Sequence, residues 1–241
     1  MRTALFTFIL SIASVLFAEN VCAQISVGLN VVKSSAISSE YGDNITNDPL
    51  GVSIAGFYMI PKTRWQIGIE LGAAMYANEE YTLDLSEKGY SGATAAVYEE
   101  DCYFLYQAVA RYRLTKAGLI NPYLEGRIGG ASYFTDRSYS EIRSVVQGAD
   151  KPEYLESDFK WNGTAFQTGA GMGFAFDFNK LTKKRYFPLS FDFAVTTYLG
   201  GRTNYRNVSE ERKQLVRNDQ QLEYRSRTDN LTYHWGIYYS F

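Results

Sequence analysis

Histidine occurs once in the 241 residues, cysteine twice and proline five times, and charge of neither sign dominates. Each shortage excludes something. A single histidine, His234, rules out a metal site built from several imidazoles, and no metal or other cofactor is expected. Lys and Arg number 24 against 26 Asp and Glu, a net charge of −2, so the basic surplus that a nucleic-acid partner demands is missing. Long apolar runs are also missing beyond residue 24: the longest stretch free of charge, Trp161 to Phe176, is rich in Gly and Thr rather than Leu, and predicts no membrane helix. What is abundant is apolar and aromatic side chain, 46% and 16% of the chain, which excludes a disordered polymer.

The one apolar run stands at the start. Arg2 precedes an uncharged stretch from Ala4 to Ala18, and Glu19 and Asn20 follow it. This is the layout of a secretory signal peptide spanning 1–23, cut after Ala23, with the folded domain covering 24–241. Cys22 leaves with the leader, so Cys102 has no intramolecular partner and no disulfide framework is expected.

Past Gln24 the repeated signal is alternation at period two, the mark of strands with unlike faces. Eight segments carry it: 24–33, 49–60, 65–77, 102–114, 122–134, 161–178, 188–200 and 229–241. In the last, Leu231, Tyr233, Trp235, Ile237, Tyr239 and Phe241 share one parity, while Thr232, His234, Gly236, Tyr238 and Ser240 share the other. Pro49, Pro122 and Pro188 start segments, and no proline falls at a segment centre, where its missing N–H would break the ladder. The connections alternate between long and short. Such sorting predicts an all-β, eight-stranded antiparallel up-and-down transmembrane barrel, with short periplasmic turns and four long extracellular loops.

With this pattern and the terminal Tyr238-Tyr239-Ser240-Phe241, the chain resembles the small eight-stranded outer-membrane β-barrels of Gram-negative bacteria, the OmpA/OmpX-like group. The resemblance implies export to the cell outer membrane, a monomer surrounded by outer-membrane lipid and lipopolysaccharide, and insertion by the barrel-insertion machinery. It makes Tyr239 and Phe241 the insertion signal.

The opposite face holds mainly small residues, Gly28, Gly51, Ser53, Gly68, Gly72, Gly129, Gly169, Gly171, Gly173 and Gly236 among them. A water-facing exterior, as in a lipocalin-like cup, would carry dense Lys and Glu; small residues suit the lumen of an eight-stranded barrel. Glu70, Arg111, Glu125, Arg127, Asp192 and His234 share this face and are expected to form a charge network plugging the lumen. One such Arg turned to lipid would cost about 2–4 kcal/mol at mid-membrane.

The long loops sum to a charge of about −9 and the short turns to about +7, with Lys180, Lys183, Lys184 and Arg185 in one turn. Within the second loop, Glu79, Glu80, Asp84, Glu99, Glu100 and Asp101 form an acidic run able to collect divalent cations beside lipopolysaccharide phosphates. No catalytic residue is expected, because nucleophilic catalysis needs a nucleophile within reach of a base and the same-face neighbours of His234 are Thr232 and Gly236. The sequence therefore reads as a non-enzymatic membrane anchor whose loops serve envelope structure or surface recognition toward an unknown extracellular or envelope partner. The alternatives are a narrow channel, a lipid A-modifying barrel enzyme, and a subunit of a larger assembly docking near Lys183 and Lys184.

Overall fold

The computed structural model describes residues 25–43, 45, 48–115, 118–144, 152–153, 155–178, 188–206 and 223–241, apart from the side chains of Glu87, Lys88 and Glu223. The expected signal peptide 1–23 and the basic residues Lys180, Lys183, Lys184 and Arg185 of an expected turn lie outside the described residues.

Among the described residues, alternating side chains produce ten strands: β1 (Ile25–Ala36), β2 (Leu50–Met59), β3 (Trp65–Asp84), β4 (Ala93–Arg113), β5 (Ile120–Ser144), β6 (Asp158–Asp177), β7 (Leu189–Gly200), β8 (Arg202–Arg206), β9 (Glu223–Arg227) and β10 (Asn230–Ser240). Eight close into a ring in the order β1-β10-β7-β6-β5-β4-β3-β2, every neighbour antiparallel, while β8 and β9 form a separate two-stranded sheet. The first and last strands close the wall over Ser26↔Ser240 to Ala36↔Asn230. A closed ring leaves no unpaired edge at this level, as a wall surrounded by hydrocarbon requires.

The two faces sort by parity. Leu29, Ile54, Ile69 and Ile237 point outward and are 60%, 60%, 61% and 60% exposed, whereas Glu70, Arg127, Asp192 and His234 point inward and are buried. An outside of Ile, Leu and Val around an inside of ions is a wall for hydrocarbon, and the inverted lipocalin-like arrangement is excluded.

Strand lengths depart from the expectation. β1, β2, β7 and β10 have 12, 10, 12 and 11 residues, close to the ~9–11 that span a bilayer. β3 to β6 have 20, 21, 25 and 20, and rise well above the membrane. The expected loop 78–101 is therefore mostly strand, closed by a 3-10 turn (Leu85–Lys88) with Gly89 and Gly92 at φ 89° and 78°. Leu83, Leu85, Ala93, Ala95 and Val97 give this upper sheet a small core of its own, with Tyr139 and Ile142 against it. Two bulges mark the transition. In β3, Met75 faces Cys102 and Ala77 faces Asp101, so Tyr76 is an extra residue. In β6, Tyr133 faces Gly163 and Phe134 faces Trp161, so Asn162 is extra. Each inserted residue reverses the parity above it.

Candidate functional site

The lumen is filled from bottom to top by side chains that satisfy one another. Register places Arg111 of β4 directly opposite Glu125 of β5, and alternation returns Arg127 to the same face two residues on. Arg111 Nε donates to Glu125 Oε2 at 2.9 Å, and its two terminal nitrogens approach Asp192 at 3.3 and 3.4 Å. Its guanidinium carbon lies 4.1 Å from the Phe57 ring centre and 4.4 Å from that of Tyr123, an aromatic sandwich for a desolvated cation. The Tyr123 hydroxyl donates to Asp192 at 2.7 Å.

One layer up, Arg127 bridges Glu70 and Glu125, its Nε 2.6 Å from Glu125 Oε1. Glu125 also accepts from the Thr196 hydroxyl at 2.6 Å, and Glu70 from Ser53, which itself accepts from Asn30 Nδ2 at 3.0 Å. Thus Glu70, Arg111, Glu125, Arg127 and Asp192 form one connected set of buried ion pairs. His234 joins only by proximity: Nδ1 lies 3.3 Å from Glu70 Oε1 without hydrogen-bond alignment, and among the described residues neither ring nitrogen has a hydrogen-bond partner. Ser53 reaches the same carboxylate from another strand, but its proton goes to Glu70 rather than to the imidazole. That geometry does not activate a nucleophile.

Above this, Tyr198 donates to Gln107 at 2.7 Å, and Ser34, Thr232 and Tyr103 link their hydroxyls at 2.9 and 3.1 Å. A tyrosine stopper follows. Tyr41, from a one-turn helix α1 (Ser39–Gly42), meets the Tyr133 hydroxyl at 3.3 Å and the Tyr205 ring edge-on at 5.3 Å. Tyr76, Tyr103 and Tyr133 complete the layer. Two loops thereby close the mouth from opposite sides of the chain.

The acidic run does not converge on one point. Glu79, Glu99 and Asp101 turn inward, where Arg206 of β8 bridges all three at 3.0, 3.1 and 2.8 Å and Arg137 pairs with Glu99 at 3.3 Å. Glu80 and Asp84 are exposed, Glu100 is half-exposed, and Asp84 caps the 3-10 turn through the Ser86 N–H at 2.9 Å. Among the described residues no three or more His, Cys, Asp or Glu side chains are arranged to hold a metal ion. Above the membrane, burial pushes Asp101 up to about 6, opposed by the Arg206 guanidinium and the Thr135 hydroxyl. Tyr239 and Phe241 lie on the outer face of the last strand's end, 45% and 44% exposed, rings 4.8 Å apart, with the Phe241 N–H bonded to Ile25 O at 2.9 Å.

The solved structures to which this chain is similar include outer-membrane proteins. Neisserial surface protein A has 10% identity and a TM-score of 0.44, over 90% of this chain and 96% of that one. Ail, the attachment invasion locus protein of Yersinia pestis, has 13% identity and a TM-score of 0.43, over 90% and 97%. A major outer membrane protein from Thermus thermophilus has 12% identity and a TM-score of 0.34, over 89% and 99%. No family model and no curated protein matches the chain. At 10% to 13% identity nothing about binding or activity passes from these barrels to this one.

The residues that sequence reasoning missed are the inward aromatics Phe57, Tyr123 and Tyr198 and the role of the loop cation Arg206, whereas Tyr238 follows from the parity of the last strand. Phe57, Tyr123, Tyr198 and Tyr238 each stand directly across from a glycine, Gly68, Gly173, Gly169 and Gly28 respectively. A large ring on the lumen face needs an empty site beside it, and glycines on the facing strand supply one. That signal is written in the sequence but becomes visible only with the register.

Proposed function

We propose that this protein is an integral outer-membrane barrel without enzymatic activity, in which a sealed wall anchors a raised extracellular sheet used for envelope structure or surface recognition. The observation that carries this is the continuity of the filling: ion pairs, hydrogen-bonded hydroxyls and a tyrosine stopper occupy successive levels of the lumen. Recognition then falls to the part held clear of the membrane, as on other rigid scaffolds. Export by the 1–23 leader, insertion directed by Tyr239 and Phe241, a monomer in lipid and lipopolysaccharide, and an extracellular or envelope partner belong to the same proposal.

The test has two parts. Heating in detergent should shift the gel mobility of the purified protein, and protease applied to intact cells should clip it outside the ring strands alone. Planar-bilayer recordings on protein verified as folded should then show no conductance steps. Reproducible unitary steps would overturn the sealed anchor and establish the narrow channel.

A further inference from the structure

The lumen has a second mouth, at the end away from the raised sheet. Beyond the Arg111 layer a cavity of about 80 Å³ opens there among Arg113, Asn121, Asp177, Ser190 and Ser240. Register brings these side chains together. Arg113 ends β4 on the parity of Arg111, opposite Tyr123. Ser190 of β7 stands opposite Asp177 of β6 on one side and Tyr238 of β10 on the other, and Ser240 follows Tyr238 two residues on. We propose that this cavity is an oxyanion site, in which the Arg113 guanidinium and the Ser190 and Ser240 hydroxyls take a phosphate group. The inference goes beyond the anchoring role and is tested by binding to the purified protein, so its outcome and that of the role are separable.

A cation without its counter-charge is what points to an anion. Arg111, one same-face position deeper, is matched by Glu125 and Asp192 and held between the Phe57 and Tyr123 rings. Arg113 differs. Among the described residues its guanidinium has no ion pair and no hydrogen bond, and the Ser190 and Ser240 hydroxyls have no hydrogen-bond partner either. Asp177 attracts Arg113 electrostatically without reaching ion-pair distance, and the Asp192 carboxylate is engaged by Arg111 and by the Tyr123 hydroxyl. By sequence alone, the three connections at this end, 60–64, 114–119 and 178–188, hold seven cations and no acid. They bring Arg113 no carboxylate, and their charge adds to a field that draws anions toward this mouth.

Size and rigidity agree with the charge. The volume suits a few waters or one tetrahedral oxyanion. A guanidinium fork matches two phosphate oxygens at once, and hydroxyls from β7 and β10 can meet the others. One wall is fixed in advance: Asn121 Oδ1 accepts from the Gly118 N–H at 2.8 Å while its Nδ2 donates to Gly118 O at 2.9 Å. Little ordering is left for binding to bear.

The test titrates the folded protein with inorganic phosphate in a phosphate-free nonionic detergent, following the backbone amide resonances of Ser190 and Ser240. A saturable shift with a midpoint of about 1 mM is expected. Arg113→Gln should weaken it by about tenfold or more, and Ser190→Ala by roughly two- to fivefold. Asp177→Asn, which removes an opposing charge, should strengthen it. Lys62→Gln, at the same end but outside the cavity, should leave the midpoint within about twofold. A shift that never saturates, undiminished binding in Arg113→Gln, or an equal loss in Lys62→Gln would overturn the site. If Arg113→Gln fails to reach the heat-modifiable folded form, unchanged affinity in the Ser190→Ala, Ser240→Ala double variant overturns it instead. Reconstitution in phosphatidylglycerol vesicles separates two sources of the group. Amides already at the shifted position and indifferent to added phosphate assign the site to a lipid headgroup, amides that still titrate assign it to soluble phosphate, and amides that do neither count against it.

Discussion

Arg127→Leu is expected to lower the unfolding free energy of the barrel by about 3–5 kcal/mol, measured by urea titration in lipid vesicles. The Arg127 side chain is fully buried between Glu70 and Glu125, both also fully buried. Removing it strands two carboxylates without a route to water. Glu125 keeps Arg111 and Thr196, so most of the loss falls on Glu70, left with Ser53 and the misaligned His234. Adding Glu70→Gln and Glu125→Gln to Arg127→Leu should restore most of the stability, because the damage comes from uncompensated charge rather than from the missing attraction. A loss below about 1 kcal/mol would show that water already reaches these groups, and the lumen would not be sealed.

Gly28→Ala should destabilise the barrel at the upper end of the roughly 1–3 kcal/mol that overpacking costs. A Cβ at Gly28 would lie 2.3 Å from Tyr238 Cδ1 and 2.5 Å from two further ring atoms. The ring has little room to yield, since its hydroxyl donates to Asn30 Oδ1 at 2.9 Å and its face is 5.8 Å from the Phe57 ring. Tyr238→Ala alone leaves a void. Combined with Gly28→Ala it removes the clash, so the double variant should be more stable than the sum of the two single losses predicts. Strict additivity would mean that the ring moves aside freely and the glycine is there for another reason.

Much of the wall was legible because period two speaks for itself wherever one side must be apolar. Leu231, Tyr233, Trp235 and Ile237 fixed the last strand, and the shared parity of Glu70, Arg111, Glu125, Arg127 and Asp192 placed the ions inside before any register was known. The upper halves of β3 to β6 were not legible. There the outward residues are Glu80, Thr82 and Asp84, whose polarity reads as loop although the backbone stays extended and paired. Arg206 was silent for a different reason: it meets Glu79 and Asp101 across 127 and 105 residues, and no local pattern encodes such a meeting. Trp161 shows the limit of parity itself. Counted from Ala165 and Gln167 it belongs inside, and only the extra Asn162 turns it out to stack with Phe134, ring centres 6.2 Å apart.

The two extra residues also loosen a constraint on how such a chain changes over generations. In an unbroken strand, inserting or losing one position above the membrane reverses every outward side chain below it. Tyr76 and Asn162 stand at that boundary as slack in the ladder, where a one-residue offset is already absorbed. On β3 and β6 an offset of one residue between the raised sheet and the apolar wall is thus already accommodated, while β4 and β5 carry the register across the boundary unbroken.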